Sequence, residues 1–141
     1  DVLAAAGGPH WLRAPATLYD FHSPSRDYAE WRLGTDLGLS GVTRSFDELG
    51  AERHELVYAV DVLEHIPDPL AEIPRLLKSA DFVAVNLFGH DPGPWDGRDM
   101  HYPLDHWRLL PEFSRDAELV EAGTVGDTVC TLWRTRKTAS A

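Results

Sequence analysis

Two apolar runs constrain the fold of this chain more than any other feature. Residues 55–60 and residues 81–88 are nearly continuous apolar stretches, without strict alternation of apolar and polar residues. Such runs are typical of strands that are buried on both faces of a parallel sheet. Parallel strands need a crossover connection, so the helical pattern between the two runs predicts a strand–helix–strand unit.

The crossover helix has clear start signals. Asp68 is the predicted N-cap, and Pro69 occupies the first helical position, where its missing N–H costs nothing. Pro74 lies inside the helical pattern and is expected to bend or shorten the helix. The apolar stripe of this helix comprises Leu70, Ile73, Leu76 and Leu77.

The same alternation continues on both sides of this unit. Towards the N-terminus, the sequence predicts strands at 16–20 and 41–45 and, between them, a helix from Ser25 to Leu37 with Ser25 as its N-cap. Towards the C-terminus, it predicts a short helix or turn-rich segment at 104–113, strands at 118–121 and 128–134, and a hairpin turn at residues 126 and 127.

The predicted fold class is α/β: a mostly parallel open sheet with flanking helices and a C-terminal antiparallel hairpin. The 141 residues suffice for a single domain over residues 1–141, within which residues 1–15 form an atypical N-terminal segment. Polar residues follow the predicted strands at Asp20 and at 45–47, 61–65 and 86–95. Ligands of open α/β sheets bind at the carboxyl ends of the strands, so a ligand site is expected there.

Composition excludes several classes of partner. The formal net charge of −10 disfavours nucleic acid and anionic membranes as partners. No apolar run approaches the roughly 20 residues of a membrane span, and the N-terminus lacks the basic region of a signal peptide. The single cysteine, Cys130, permits no internal disulfide and fits a reducing, cytoplasmic compartment.

The segment from 60 to 69 carries a family resemblance. It reads Val-Asp-Val-Leu-Glu-His-Ile-Pro-Asp-Pro, and it resembles the segment that follows the fourth strand in class I S-adenosylmethionine-dependent methyltransferases. The resemblance extends over residues 16–136. It implies a Rossmann-like methyltransferase fold, shortened at the N-terminus, in which the predicted strands are the second to fifth strands and the closing pair.

The resemblance also implies roles for individual residues. Asp20 would bind the ribose hydroxyls of S-adenosylmethionine, Phe46 and Asp47 would contact the adenine, and Asp61 and Glu64 would line the methionine end. His65 and His101 are the expected catalytic bases, since an unperturbed histidine titrates near neutrality. The expected acceptor-binding residues are His90, Trp95, Tyr102 and His106.

No metal site is predicted from the sequence. His101, Asp105 and His106 carry suitable ligand atoms, but residues 105 and 106 are adjacent and point apart on either a helix or a strand. Hydrogen bonding within a loop explains these side chains better.

The N-terminal segment departs from the family pattern. Instead of an acidic residue followed by a glycine-rich loop, the chain has Ala4 and Ala6 at the corresponding positions, and Pro9 directly follows Gly8. Seven residues, 9–15, separate Gly8 from the next strand, whereas a parallel crossover needs about a dozen. Either the first strand and its helix are missing or residues 2–6 have another role. Because a missing central strand leaves unpaired strand edges, we expect a homo-oligomer or a partner subunit.

The sequence therefore predicts S-adenosylmethionine-dependent methyl transfer to a small-molecule acceptor that is neutral or cationic. Two alternatives remain for an intact chain: a non-catalytic methyltransferase-like subunit that completes or regulates a partner, and a methyltransferase-like enzyme repurposed for non-methyl chemistry. A further alternative is a fragment from which the first strand has been removed.

Overall fold

The computed structural model describes residues 16–21, 23–32, 41–88, 102, 105–126 and 128–136. The chain divides into two compact units, Asp1–Leu49 and Gly50–Ala141. The described strands form one sheet in each unit. The single domain expected from the sequence stays a prediction.

The first unit contains a parallel strand pair and a short helix. Strand β1 (Ala16–Asp20) pairs with β2 (Gly41–Ser45) in a register that places Asp20 opposite Ser45. Both strands were predicted from their short β-prone segments, and both are confirmed. Their carboxyl ends meet at one edge of this sheet.

Helix α1 (Pro24–Trp31) begins earlier than predicted. Its N-cap is Ser23, whose hydroxyl accepts a hydrogen bond from the backbone N–H of Arg26 at 3.2 Å. The prediction of Ser25 as the cap is wrong, because Pro24 favours the first helical position and shifts the start by two residues. The predicted continuation over 33–37 lies outside the described residues.

The second unit contains a mixed sheet in the order β3-β4-β6-β5. Its strands are β3 (His54–Ala59), β4 (Ala80–Phe88), β5 (Ala117–Val125) and β6 (Thr128–Thr135). β3 and β4 are parallel, whereas β6 is antiparallel to both of its neighbours. The strand–helix–strand unit and the closing hairpin are confirmed.

Helix α2 (Pro69–Ser79) connects β3 to β4 as predicted. The Asp68 carboxylate accepts a hydrogen bond from the backbone N–H of Ala71 at 3.3 Å, and Pro69 is the first helical residue. The helix continues past Pro74 to its end at Ser79.

The core of the second unit lies between its sheet and its helices. Helix α3 (Leu109–Asp116), preceded by a 3-10 turn at His106–Arg108, packs near α2. The ring of Phe113 stacks on that of Trp133 at a centroid distance of 5.2 Å. Other fully buried apolar side chains of the core include Leu63, Ile73, Val83, Leu87 and Leu109. Burying each such side chain contributes about 1.5–3 kcal/mol relative to exposure.

Strand β3 corrects one prediction about burial. Leu56 is 52% exposed and Tyr58 is 62% exposed, so the expectation that this strand is buried on both faces is wrong. β3 lies at the edge of the described sheet, whereas β4 lies between two strands and buries Val83 and Val85. Position in the sheet, and not the apolar run itself, decides the difference.

Strand β5 forms the other edge of the described sheet, and most of its residues are exposed. Leu119 pairs with Trp133 and Glu121 pairs with Leu132, which leaves Val120 as the extra residue of a β-bulge. Gly126 follows the strand with φ of 60°, and Asp127 lies outside the described residues. Among the helices of the described ranges, none is both long and apolar enough to span a bilayer.

Candidate functional site

A tight turn at the carboxyl end of β3 forms the centre of the candidate site. Asp61 has φ of 61°, in the left-handed region that aspartate tolerates better than most residues. Its backbone N–H donates to the Asn86 side-chain oxygen at 2.7 Å. Asn86 is on β4 and is 2% exposed, so the neighbouring strand fixes the conformation of this turn.

The next residues form a 3-10 turn, Leu63–His65, which buries a carboxylate. Glu64 is 1% exposed, and both of its carboxylate oxygens are buried without a well-formed hydrogen bond to any described residue. The backbone carbonyl of Glu64 accepts a hydrogen bond from the N–H of Tyr102 at 2.7 Å. Because a buried carboxylate without well-formed hydrogen bonds is costly, this side chain is an unusual feature of the fold.

The surroundings of Glu64 favour its protonated form. Burial raises the pKa of the Glu64 carboxyl above its usual value of 4.5, and the neighbouring Asp61 carboxylate raises it further. The backbone N–H of Glu64 and the Asn86 side chain offset part of this rise in pKa. Carboxyl groups with such perturbed titration occur frequently at functional sites.

Asp61, Glu64 and His65 form one cluster. Each contributes a potential ligand atom, and these three atoms all lie within 4.8 Å of one another. His65 Nε2 is 3.9 Å from a carboxylate oxygen of Asp61. The side chains of Asp61 and His65 are 69% and 35% exposed, so solvent reaches these two members of the cluster, whereas the carboxylate of Glu64 is buried.

The first unit has its own polar edge at the ends of β1 and β2. The Asp20 carboxylate accepts a hydrogen bond from the backbone N–H of Phe21 at 2.7 Å. After β2, Ser45 and Glu48 form a capping box around the 3-10 turn Phe46–Glu48, which leaves Asp47 exposed. Phe46 is buried, and its ring lies 4.7 Å from that of Phe21.

The predicted site residues therefore fall into three groups. Asp20, Phe46 and Asp47 lie at one sheet edge in the first unit, and Asp61, Glu64 and His65 lie together in the second unit. Tyr102 and His106 are also in the second unit, with Tyr102 40% exposed and His106 3% exposed. His90, Trp95 and His101 lie outside the described residues.

Sequence reasoning missed two features of the site. It included Asn86 only as the first residue of the polar segment 86–95 and gave it no role of its own, although an amide near the end of an otherwise apolar strand is a usable signal. It also considered metal ligands at 101, 105 and 106, but not the cluster at 61, 64 and 65. The spacing Asp-x-x-Glu-His around a strand end was the available signal for that cluster.

Comparisons with solved structures identify methyltransferases as similar folds. The N-terminal domain of EvdMO1, crystallised with SAH, has a TM-score of 0.62 and 15% identity over 96% of this chain and 70% of that one. An O-methyltransferase family protein from Burkholderia thailandensis has a TM-score of 0.65 and 7% identity, and the match covers 84% of this chain and 43% of that one.

A third similar structure is NcsB1, an O-methyltransferase from neocarzinostatin biosynthesis in complex with SAM and 2-hydroxy-5-methyl naphthoic acid. It has a TM-score of 0.62 and 16% identity, and the match covers 85% of this chain and 41% of that one. The chain therefore spans less than half of two of these three proteins. No protein-family model and no curated protein sequence matches it.

These similarities confirm the Rossmann-like methyltransferase fold predicted from the sequence. In the strand numbering that the family resemblance implies, β1 and β2 correspond to the second and third strands, β3 and β4 to the fourth and fifth, and β5 and β6 to the closing pair. Residues 1–15, which carry the atypical glycine segment, lie outside the described residues.

Proposed function

We propose that this chain, which has the fold of class I methyltransferases, catalyses methyl transfer from S-adenosylmethionine to a small-molecule acceptor. The observation that carries the proposal is the placement of the polar residues. Both parallel strand pairs end in acidic side chains, at the edges where α/β sheets bind ligands. Two proteins of similar fold, EvdMO1 and NcsB1, were crystallised with SAH and SAM, and this supports the choice of cofactor.

The residues of the first unit suit the adenosine half of this cofactor. An ionised carboxylate only accepts hydrogen bonds, which matches the hydroxyl donors of a ribose diol at Asp20. One Asp20 oxygen is held by the Phe21 N–H, and this orients the carboxylate at the end of β1. The exposed Asp47 carboxylate can accept from the adenine amino group, with Phe46 beside it in the same turn.

The residues of the second unit suit the reacting end. When bound, S-adenosylmethionine supplies an electrophilic methyl group on a sulfonium centre. The protein has to position the acceptor atom in line with the methyl–sulfur bond and remove the proton that the acceptor loses. His65 and His101 are the proposed bases for that proton, and Asp61 and Glu64 are proposed to line the methionine end.

The acceptor pocket is proposed to include His90, Trp95 and Tyr102. Tyr102 is 40% exposed, and its backbone N–H donates to the carbonyl of Glu64. His106 is the fourth residue proposed for this pocket; it is 3% exposed and begins the 3-10 turn His106–Arg108. The net charge of −10 favours a neutral or cationic acceptor. A homo-oligomer or partner subunit and a cytoplasmic location remain predictions of the sequence.

Calorimetry with S-adenosylmethionine tests the proposal. We expect saturable binding that Asp20→Ala weakens by about 1–3 kcal/mol, the scale of hydrogen bonds to charged groups. Glu30→Ala, which removes an exposed acid from α1, is the matched control and should leave the affinity unchanged. Absence of binding to the purified chain would contradict the proposal.

Mass spectrometry of the product tests the reaction itself. D-fucose, which was present in a crystal of the EvdMO1 domain, and 2-hydroxy-5-methyl naphthoic acid, which NcsB1 binds, are suitable first acceptors. The expected outcome is a product heavier by one methyl group, formed in higher yield from the neutral sugar than from the anionic acid. Cofactor binding without methylation of any acceptor tried would favour a non-catalytic methyltransferase-like subunit.

A further inference from the structure

We propose that Asp61, Glu64 and His65 form a binding site for a divalent transition-metal ion. Their ligand atoms lie within 4.8 Å of one another, so small side-chain rotations would bring all three into the coordination sphere of one ion. Two carboxylates and one imidazole are established ligand types for such ions.

The burial of Glu64 is the independent observation that points to a ligand. The side chain is 1% exposed, and neither carboxylate oxygen has a well-formed hydrogen bond to a described residue. Buried charges in proteins are normally paired or bound to metals, because leaving them unpaired is costly. A cation between Asp61 and Glu64 would also cancel the repulsion between their carboxylates.

The backbone around the cluster is held in place by contacts outside it. Asn86 fixes the left-handed turn at Asp61 through a hydrogen bond of 2.7 Å, and the Tyr102 N–H fixes the carbonyl of Glu64 at the same distance. Such supporting contacts orient metal ligands and raise affinity. The exposure of Asp61 and His65 provides an entry path for the ion.

The ligand set indicates which ions fit. Imidazole favours zinc and iron, whereas carboxylates also suit manganese and magnesium, so Zn²⁺ and Mn²⁺ accept both ligand types. Mg²⁺ and Ca²⁺ prefer all-oxygen sites and are expected to bind more weakly. Three protein ligands leave further coordination positions open.

The role of the ion rests on the proposed function. An open position can bind the hydroxyl oxygen of an acceptor and lower the pKa of that hydroxyl, so hydroxylated acceptors are the substrate class that this site selects. With the ion bound, His65 is a ligand and not a base. The acceptor proton then passes to solvent water, which reaches the cluster past the exposed Asp61 and His65 side chains.

Calorimetry and thermal unfolding of the full chain with Zn²⁺ and with Mn²⁺ test the proposal. A chelator first removes any metal that is already bound. We expect one ion per chain and a rise in melting temperature. Glu64→Gln should lower the affinity about 100-fold or more and Asn86→Ala about 10–100-fold, because ligands and their supporting residues both determine affinity. Glu121→Gln, which removes an exposed acid of β5, should bind the metal ion with the same affinity as the original chain.

Two outcomes would overturn the metal site. One is the absence of saturable binding at millimolar ion, which would leave a protonated Glu64 as the explanation of the cluster. The other is binding that Glu64→Gln does not weaken. If that variant fails to fold, Asp61→Asn replaces it, because the exposed Asp61 side chain can change without disturbing the core and asparagine tolerates the left-handed turn.

Titration with S-adenosylmethionine in the same calorimeter separates this inference from the proposed function. Cofactor binding without metal binding overturns the metal site and leaves the methyltransferase proposal standing. Metal binding without cofactor binding overturns the methyltransferase proposal and keeps the site as a metal centre.

Discussion

The carboxyl ends of the two parallel strand pairs carry similar residues in contrasting environments. At the ends of β1 and β2, Asp20 accepts a backbone hydrogen bond, and the capping box of Ser45 satisfies the turn that carries Asp47. At the ends of β3 and β4, Asp61 has a left-handed backbone, and Glu64 buries a carboxylate that makes no well-formed hydrogen bond to a described residue.

The contrast shows that topology decides where polar residues gather, while the following turn decides what they can do. A solvated carboxylate that already accepts one backbone hydrogen bond can accept another from a ligand, and it lowers the free energy of unfolding very little. A buried carboxylate in a strained turn destabilises the fold until something neutralises it, which is typical of sites that bind charge. The sheet edge at the ends of β3 and β4 is therefore more chemically specialised than the edge at the ends of β1 and β2.

Truncation of Asn86 is expected to have the largest effect on stability. In Asn86→Ala the part-buried N–H of Asp61 loses its acceptor, and the free energy of unfolding should fall by about 1–3 kcal/mol. Urea unfolding measures the change. A loss smaller than that caused by Ser45→Ala would show that the turn at Asp61 depends less on its side-chain partner than the capped turn Phe46–Glu48 does.

Glu64→Gln is expected to change the pH dependence of stability in the presence of a chelator. Between the usual carboxyl pKa of 4.5 and the raised pKa of folded Glu64, the native state binds a proton that the unfolded state has lost. The original chain should therefore lose stability relative to Glu64→Gln as pH rises through this window, with no further loss above it.

Unfolding curves at a series of pH values measure this difference. Glu121→Gln serves as the control, since an exposed carboxyl should leave the pH profile parallel to that of the original chain. A relative stability that rises with pH would show that Glu64 is stabilised in its ionised form by a partner.

Removal of the cap at Ser45 is expected to have a smaller effect. In Ser45→Ala the 3-10 turn loses a side-chain acceptor for its backbone N–H groups, and the free energy of unfolding should fall by about 0.5–1 kcal/mol. The same urea measurement applies. An unchanged midpoint of urea unfolding would mean that water replaces the Ser45 hydroxyl as hydrogen-bond acceptor without loss of stability.

Asp20→Ala is expected to have the smallest effect on stability. The exposed N–H of Phe21 can bond to water instead, so the free energy of unfolding should change by less than about 0.5 kcal/mol. The variant should thus lose cofactor affinity without losing stability. A large drop in melting temperature would make Asp20 a structural residue and weaken its proposed role.

Local signals in the sequence were sufficient for most of the elements. The Asp68–Pro69 start of α2 was predicted correctly because cap and proline act within one turn. The start of α1 was misplaced, although Ser23–Pro24 offers the same kind of signal, because Ser25 fitted the apolar spacing equally well.

The environment of the site could not be predicted, because it depends on contacts between distant residues. The burial of Glu64 follows from packing in the second unit, and the neighbours of Glu64 in sequence carry no sign of it. The turn at Asp61 depends on an amide 25 residues further along the chain. The exposure of β3 depends on strand order, which an apolar run does not specify.

The bulge at Val120 has a consequence for solubility. A flat, regular edge strand offers its backbone groups to strands of other molecules and so promotes aggregation. On β5 the extra residue interrupts the ladder and increases the local twist, and Glu121 places a negative charge beside it, whereas Glu118 is paired with Arg134 at 2.7 Å. An irregular, charged border of this kind disfavours fibre-like stacking of neighbouring molecules through the C-terminal hairpin.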